Sequence, residues 1–166
     1  MKYFIGPMSK NVVDAIIDFG NVGFIPSRRQ VEYNGGYVNN WTTEEFSNYV
    51  NGRTIIQRDH GGASQGYIDD DGKESFRNDA LFFDLIHVDP WKKYSNFIEG
   101  VEETISNMIF IHNINPKIKF EVGTEEAIRR FSVEELSLLL DKLSELHFFD
   151  NVEYAVVQSG VGLDLG

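Results

Sequence analysis

Histidines and carboxylates that follow short apolar runs are the residues of this chain best suited to chemistry. Asp59 and His60 follow one such run, and His87 and Asp89 lie at the end of another. A histidine at the end of a strand can ligate a divalent metal, and a neighbouring aspartate can transfer protons. Glu121 lies within a further apolar run, where a carboxylate is costly to bury unless it is paired or metal-bound. We therefore predict a divalent-metal site with His60, His87 and Glu121 as ligands and Asp59 as a catalytic proton carrier.

Several of these groups also have an ordinary structural interpretation. A single histidine after a strand is often a hydrogen-bonded structural residue, and this is the alternative interpretation of His60 and His87. His112 and His147 precede loops near the ends of predicted helices, and we interpret both as structural. Glu125 is a second candidate for catalytic proton transfer, but a carboxylate there could equally be a favourable charge at the start of a helix.

Two adjacent arginines, Arg28 and Arg29, follow another apolar run and suit an anionic group such as a phosphate or a carboxylate. They could also be plain surface charges. With a metal and a proton-transfer carboxylate, an anion site suits metal-assisted proton abstraction from a sugar phosphate. The residues expected to bind the substrate are Ser27, Arg28, Arg29, Gln30, Asp89, Gln158 and Ser159.

Six short runs rich in β-branched and aromatic residues are predicted to be the strands that position these groups. They alternate with helical patterns, which is typical of a parallel α/β fold. Because chemistry in such folds collects at the carboxyl ends of the strands, the candidate residues should meet at one edge. The predicted strands are Tyr3–Met8, Val22–Pro26, Thr54–Arg58, Leu85–Val88, Ile118–Val122 and Glu153–Gln158.

Capping residues mark where the helices begin. Ser9 and Ser95 are predicted N-caps, and Thr42 with Glu45 and Ser132 with Glu135 match the capping-box pattern. A leucine stripe follows Ser132 at the spacing of an amphipathic helix, and we expect it to face the core. Its members are Leu136, Leu139, Leu140 and Leu143.

Composition excludes several classes of function. The chain has 166 residues, no cysteine and a formal net charge of −11. Disulfides, cysteine-type zinc sites and thiol nucleophiles are therefore absent, and non-specific nucleic-acid binding lacks the basic stripe that it needs. No apolar run reaches the roughly 20 residues of a membrane span, and no signal peptide is evident, so we expect a cytoplasmic protein. The first strand is not followed by a phosphate-binding glycine fingerprint.

Five segments that lie in order along the chain, each near the end of a predicted strand, carry a recognisable pattern. They are Ser27 to Thr42 with its Gln30-Val31 and Gly35-Gly36-Tyr37, Asp59-His60 with Gly62, Ile86-His87-Val88-Asp89, Val122-Gly123-Thr124-Glu125 and Val156-Val157-Gln158-Ser159-Gly160. Together they resemble the family of companion (non-catalytic) subunits of class II D-tagatose-1,6-bisphosphate aldolase, and the resemblance covers nearly the whole chain.

The resemblance implies an aldolase-type TIM barrel and the zinc chemistry of the related catalytic aldolases. Asp59 then matches a proton-transfer aspartate, His60 a zinc ligand and Glu121 a glutamate near the metal. The chain departs from the pattern after His60, where Gly61-Gly62-Ala63 stands in place of Leu-Gly-Pro, and no histidine follows His147.

Three functions stay open at this point. The first is a ketose-phosphate lyase or epimerase with a phosphorylated sugar as substrate, and the second is a non-catalytic subunit that stabilises a separate aldolase chain. An unrelated α/β binding domain is the third. For the first two we expect a homo-oligomer or a complex with an aldolase subunit, and neither a nucleic acid nor a membrane as partner.

The length of the chain conflicts with a complete barrel. A (β/α)8 barrel typically takes about 250 residues, and the pattern accounts for about six of eight β/α units. We therefore predict that residues 1–166 are a single incomplete barrel domain, either a fragment of a longer protein or a partial barrel completed by another chain.

Overall fold

Strands and helices alternate along the chain, as the apolar runs predict. The structure, a computed structural model, describes residues 2–124 and 130–157. The strands are β1 (Tyr3–Ile5), β2 (Val22–Phe24), β3 (Gln57–Gly61), β4 (Leu85–Val88), β5 (Lys119–Thr124) and β6 (Val152–Val157). The helices are α1 (Lys10–Phe19), α2 (Thr43–Val50), α3 (Lys73–Phe82), α4 (Phe97–Ile114) and α5 (Val133–Glu145), with a short 3-10 helix at Phe149–Asn151.

The predicted incomplete barrel of about six of eight β/α units is wrong, because the described strands form two sheets. β1 pairs with β2, and β3, β4, β5 and β6 pair in that order, all in parallel. The break follows β2, which is three residues long. After β2 the chain continues into residues 27–42. Two isolated bridges, Phe24↔Ile56 and Ser27↔Asp59, pair the region of β2 with the region of β3. Two isolated bridges do not make a continuous ladder. The strands are therefore parallel, as predicted, but they form two sheets rather than one.

Side chains also join the two sheets at their other ends. Lys2 Nζ lies 3.1 Å from Glu153 Oε1, and the rings of Phe4 and Tyr154 meet edge to face with centroids 6.3 Å apart. These contacts connect the β1 region to β6 without a backbone ladder among the described pairs.

Three of the four predicted helix caps are confirmed, and α3 follows Gly72, for which no cap was predicted. The side chain of Ser9 accepts a hydrogen bond from the Val12 amide at the start of α1. Both capping boxes, which open α2 and α5, are confirmed. α4 is the exception, because its cap is Asn96, one residue beyond the predicted Ser95. The Asn96 carboxamide accepts from two backbone amides of the first turn and so satisfies donors that the helix leaves open.

Two apolar clusters cover the two sheets. The larger one packs α3, α4 and α5 against the sheet of β3 to β6, and it includes Leu139 and Leu143 of the leucine stripe. The smaller one packs α1 and α2 around β2 and includes Val13, Phe24 and Phe46. The stripe is therefore a core feature, as predicted, although Leu136 and Leu140 are half-buried.

A buried arginine links β3 to α3 and to the segment that follows β2. Arg58 on β3 has no solvent exposure, and its guanidinium donates to both carboxylate oxygens of Asp79 on α3 at 2.8 and 2.7 Å. The same group donates to the carbonyl oxygens of Pro26 and Val31, which lie beyond β2. The Cζ atom of Arg58 lies over the Phe83 ring, 4.9 Å from its centroid. These hydrogen bonds and the ion pair with Asp79 compensate for the cost of removing the guanidinium charge from water.

No helix within residues 2–124 and 130–157 combines the length and the apolar character that crossing a membrane requires.

Replacement of Asp79 by asparagine should destabilise the fold strongly. Asp79→Asn leaves the Arg58 charge buried and without its carboxylate, which costs about 3–5 kcal/mol in comparable sites. Urea unfolding measures the change in the free energy of unfolding. The matched control is Glu145→Gln, which breaks the exposed Lys142–Glu145 pair and should cost less than about 1 kcal/mol. Equal effects of the two substitutions would contradict the assigned role of Arg58.

Candidate metal centre

An irregularity at the end of β3 turns two consecutive side chains toward the same site. In a regular strand, neighbouring side chains such as those of Asp59 and His60 point to opposite faces. Here the pairing of β3 with β4 shifts register between Arg58 and Gly61, and His60 has a left-handed backbone with φ of 44°. Bulges and positive φ values at residues other than glycine cluster next to functional sites. The local backbone therefore explains how both residues reach one centre.

Three side chains converge at this edge of the four-stranded sheet. Each of Asp59, His60 and His87 offers one ligand atom, and these atoms all lie within 4.8 Å of one another. The Nε2 atom of His60 lies 3.6 Å from Asp59 Oδ1. The rings of His60 and His87 have centroids 5.1 Å apart. Since Asp59 and His60 are partly exposed and His87 is buried, the centre has a protein-enclosed side and a side open to solvent.

A buried carboxylate holds His60 from behind. Asp89 Oδ2 lies 2.6 Å from His60 Nδ1 and also accepts from Gln65 Nε2 at 2.9 Å. Burial alone would raise the pKa of Asp89, but the hydrogen bond from His60, the histidine charges and the Trp91 amide lower it below its usual range. An ionised carboxylate can only accept, so Nδ1 of His60 carries the proton. The ring then presents Nε2 to the centre, which is the arrangement typical of metal-ligating histidines.

The environment of His87 keeps its imidazole neutral. Burial lowers the pKa of His87 to about 4, with the nearby Asp89 opposing the shift. A histidine must be neutral to ligate a metal, so this ring is in the competent form at pH 7. Its Nδ1 lies 3.6 Å from Oε1 of Glu121, its register partner on β5.

Two carboxyl groups at the centre, those of Asp59 and Glu121, have pKa values above their usual range. Burial raises the pKa of Asp59 and of Glu121, although the His60 charge opposes the shift at Asp59 and a hydrogen bond from Gln57 opposes it at Glu121. Asp59 therefore binds a proton more readily than Asp89 does. Burial dominates at Asp59, whereas hydrogen-bond donors stabilise the ionised form of Asp89.

The structure brings five of the sequence-predicted residues together: Asp59, His60, His87, Asp89 and Glu121. Asp59, predicted as a proton carrier, belongs to the group of converging donors, whereas Glu121, predicted as a ligand, lies beside that group. Asp89, predicted to bind substrate, is buried behind His60. Glu125, Gln158 and Ser159 lie outside the described residues.

Arg28 and Gln30, predicted to bind substrate, are buried in internal hydrogen bonds. The Arg28 guanidinium donates to Glu32, to both carboxylate oxygens of Asp70 and to the Gly62 carbonyl oxygen. Gln30 accepts from the amide of Ser27 at 2.9 Å. Ser27 forms the bridge to Asp59 and is partly exposed. Arg29 is exposed, and it is therefore the arginine of the pair that solvent and solutes can reach.

Two glutamines of the centre were missed in the sequence. Gln65 contacts Asp89, and Gln57 contacts Glu121. Gln57 precedes Asp59 by two residues, and the strand period of two places both on one face, which was a usable signal. Gln65 lies in the Gly61–Gly72 excursion, where nothing in the sequence distinguishes it from its polar neighbours.

Comparisons of the chain with protein-family models, with curated proteins and with solved structures find no match. The resemblance to the aldolase companion family accordingly stays a prediction.

The burial of His87 should make stability depend on pH in the metal-free protein. Unfolding releases His87 to an ordinary pKa near 6.5, whereas the folded value is about 4. The unfolded chain therefore binds the extra proton between these values, and stability should fall by about 3 kcal/mol as the pH drops through this window. Urea unfolding in the presence of a chelator measures the slope.

His87→Gln should remove this contribution, while His147→Gln, a substitution at an exposed histidine, should keep it. An unchanged slope in His87→Gln would refute the assignment.

Proposed function

We propose that this chain is a metal-dependent enzyme that removes a proton from a sugar phosphate, the step shared by aldol cleavage and epimerisation. The observation that carries the proposal is the convergence of Asp59, His60 and His87 at one edge of the sheet. A donor set of two imidazoles and one carboxylate, open on one side, is typical of catalytic rather than structural metal sites.

The residues present fit a divalent cation of the zinc type. Imidazole nitrogen and carboxylate oxygen are suitable donors for Zn²⁺ and its first-row neighbours. Asp89 supplies the outer carboxylate behind His60, and His87 is kept neutral by burial. When bound, such a cation would polarise a carbonyl or hydroxyl oxygen of the substrate.

Two carboxylates of the chain are candidates for the proton transfer. Burial raises the pKa of Asp59 and of Glu121, which makes each a stronger base than an exposed carboxylate. Asp59 is also one of the three converging donors, whereas Glu121 lies beside His87. We assign metal binding to His60, His87 and Asp59, and proton transfer to Glu121.

The substrate class is supported by two observations. One is the sequence resemblance to proteins of ketose-bisphosphate metabolism. The other is the exposed guanidinium of Arg29. Arg29 lies two residues after Ser27, and Ser27 forms a β-bridge with Asp59 of the metal centre. An exposed arginine at this edge can bind a phosphate group bidentately.

Isothermal titration of the metal-free chain with Zn²⁺ or Mn²⁺ should detect one high-affinity site. His60→Ala and His87→Ala should abolish the binding, and Asp89→Asn should weaken it by about 10–100-fold, as expected for an outer partner. His147→Ala is the matched control and should bind as the wild type does. Unchanged affinity in both His60→Ala and His87→Ala would eliminate this centre.

Hydrogen–deuterium exchange tests the proposed proton transfer. The metal-loaded chain should catalyse exchange of a carbon-bound proton of a ketose mono- or bisphosphate in D2O, followed by NMR. Glu121→Gln should slow the exchange by about 10²-fold or more while retaining the metal. Metal binding with no exchange on any ketose phosphate would contradict the enzymatic proposal and favour the non-catalytic subunit.

A further inference from the structure

A small cavity lies between the two long loops at the same end of the fold as the metal centre. It is contributed by residues 27–42, which follow β2, and residues 62–72, which follow β3. Its volume of about 140 Å³ is close to the roughly 150 Å³ of an engineered cavity that holds benzene, so it accommodates a group of about one six-membered ring. We call it the loop pocket, and it is lined by Arg28, Glu32, Tyr33, Asn34, Tyr67 and Asp70, with Gly35 and Ile68.

The charges of the loop pocket satisfy one another. Arg28 is paired with Glu32 on one side and with Asp70 on the other. Glu32 also accepts from the Tyr33 amide, and Asp70 also accepts from the Gly72 amide. One guanidinium and two carboxylates leave one net negative charge. A phosphate group would meet repulsion here, because the buried guanidinium is already neutralised.

The remaining lining suits a ligand with apolar faces and polar edges. Tyr67 is 72% exposed and Ile68 is 59% exposed, so both present apolar surface that a ligand in the pocket would cover. Tyr33 adds a second phenol, and the exposed amide of Asn34 adds both a donor and an acceptor. Arg29 lies over the Tyr67 ring at 5.6 Å, and this contact covers part of that ring.

A backbone bridge and a side-chain hydrogen bond link the loop pocket to the metal centre. Arg28 directly follows Ser27, which bridges Asp59. Arg28 also donates to the carbonyl oxygen of Gly62, two residues after His60. A ligand in the pocket would therefore lie at the same sheet edge as the converging donors.

We propose that the loop pocket binds a neutral, hydroxyl-rich sugar moiety and that Tyr67 and Asn34 select it. Tyrosine faces pack against the C–H face of a sugar, and neutral polar side chains exchange hydrogen bonds with its hydroxyl groups. The assignment of that sugar as the substrate rests on the proposed function, whereas binding in the loop pocket does not depend on the metal.

Saturation-transfer NMR on the full chain with a chelator and D-fructose as the probe tests the inference. D-fructose should bind, and Tyr67→Ala should weaken its binding by about fivefold or more, the loss expected for one aromatic contact. Asn34→Ala should also weaken it. The matched control is Tyr37→Ala, which removes a 53% exposed tyrosine from the same segment outside the pocket and should bind as the wild type does.

Equal binding by the wild type and by both Tyr67→Ala and Asn34→Ala would overturn the inference. So would displacement of D-fructose by inorganic phosphate or tetramethylammonium at lower concentration, which would identify a site for ions. The His60→Ala/His87→Ala double variant separates the two proposals, because it should lose metal binding and keep Tyr67-dependent binding of D-fructose. Retained, Tyr67-dependent sugar binding in a wild-type chain that binds no metal would support the pocket and refute the metal centre. Metal binding and exchange without Tyr67-dependent sugar binding would do the reverse.

Discussion

The rest of the structure depends on the buried charge of Arg58. Its guanidinium has to be satisfied inside the protein, and the groups that satisfy it come from α3 and from the segment after β2. These contacts hold the segment after β2 beside β3 even though a continuous sheet ends there. Asp59 and His60 directly follow Arg58, so the residue that joins the two sheets also sets the position of the candidate metal centre.

Arg28 has a comparable role one layer further out. It joins residues 27–42 to residues 62–72 through Asp70 and the Gly62 carbonyl oxygen. Both arginines are buried and paired with carboxylates, but Arg58 stabilises the core whereas Arg28 lines the loop pocket. Neither is available to an anionic ligand, and Arg29 is the exposed member of the adjacent pair.

Local features of the fold were predictable from the sequence, whereas most long-range ones were not. Apolar runs and capping residues such as Thr42 and Ser132 act within a few positions, and they predicted six strands and the starts of three of the five helices. The separation into two sheets depends on how short β2 is and on which distant groups satisfy Arg58. Neither the length of β2 nor the partners of Arg58 can be predicted from composition or local spacing.

The same distinction applies to the candidate site. That Asp59, His60 and His87 meet follows from parallel strands with a common edge, which the sequence pattern supplied. The burial of Arg28 did not follow, because a guanidinium on a loop looks identical in sequence whether or not Glu32 and Asp70 neutralise it. The barrel expected from the family resemblance failed for a related reason, since short motifs at strand ends do not specify strand closure.

The left-handed backbone of His60 has a consequence for sequence drift. Apart from glycine, the residues that adopt positive φ most readily are asparagine, aspartate and histidine. Each of those three side chains has a lone pair that a cation can use. Substitutions that the backbone tolerates at this position are therefore enriched in potential ligands, whereas β-branched residues are disfavoured by strain before any chemistry is tested. Glycine is the exception, because it fits this backbone and offers no ligand atom, so a glycine at residue 60 would keep the fold and lose the metal ligand.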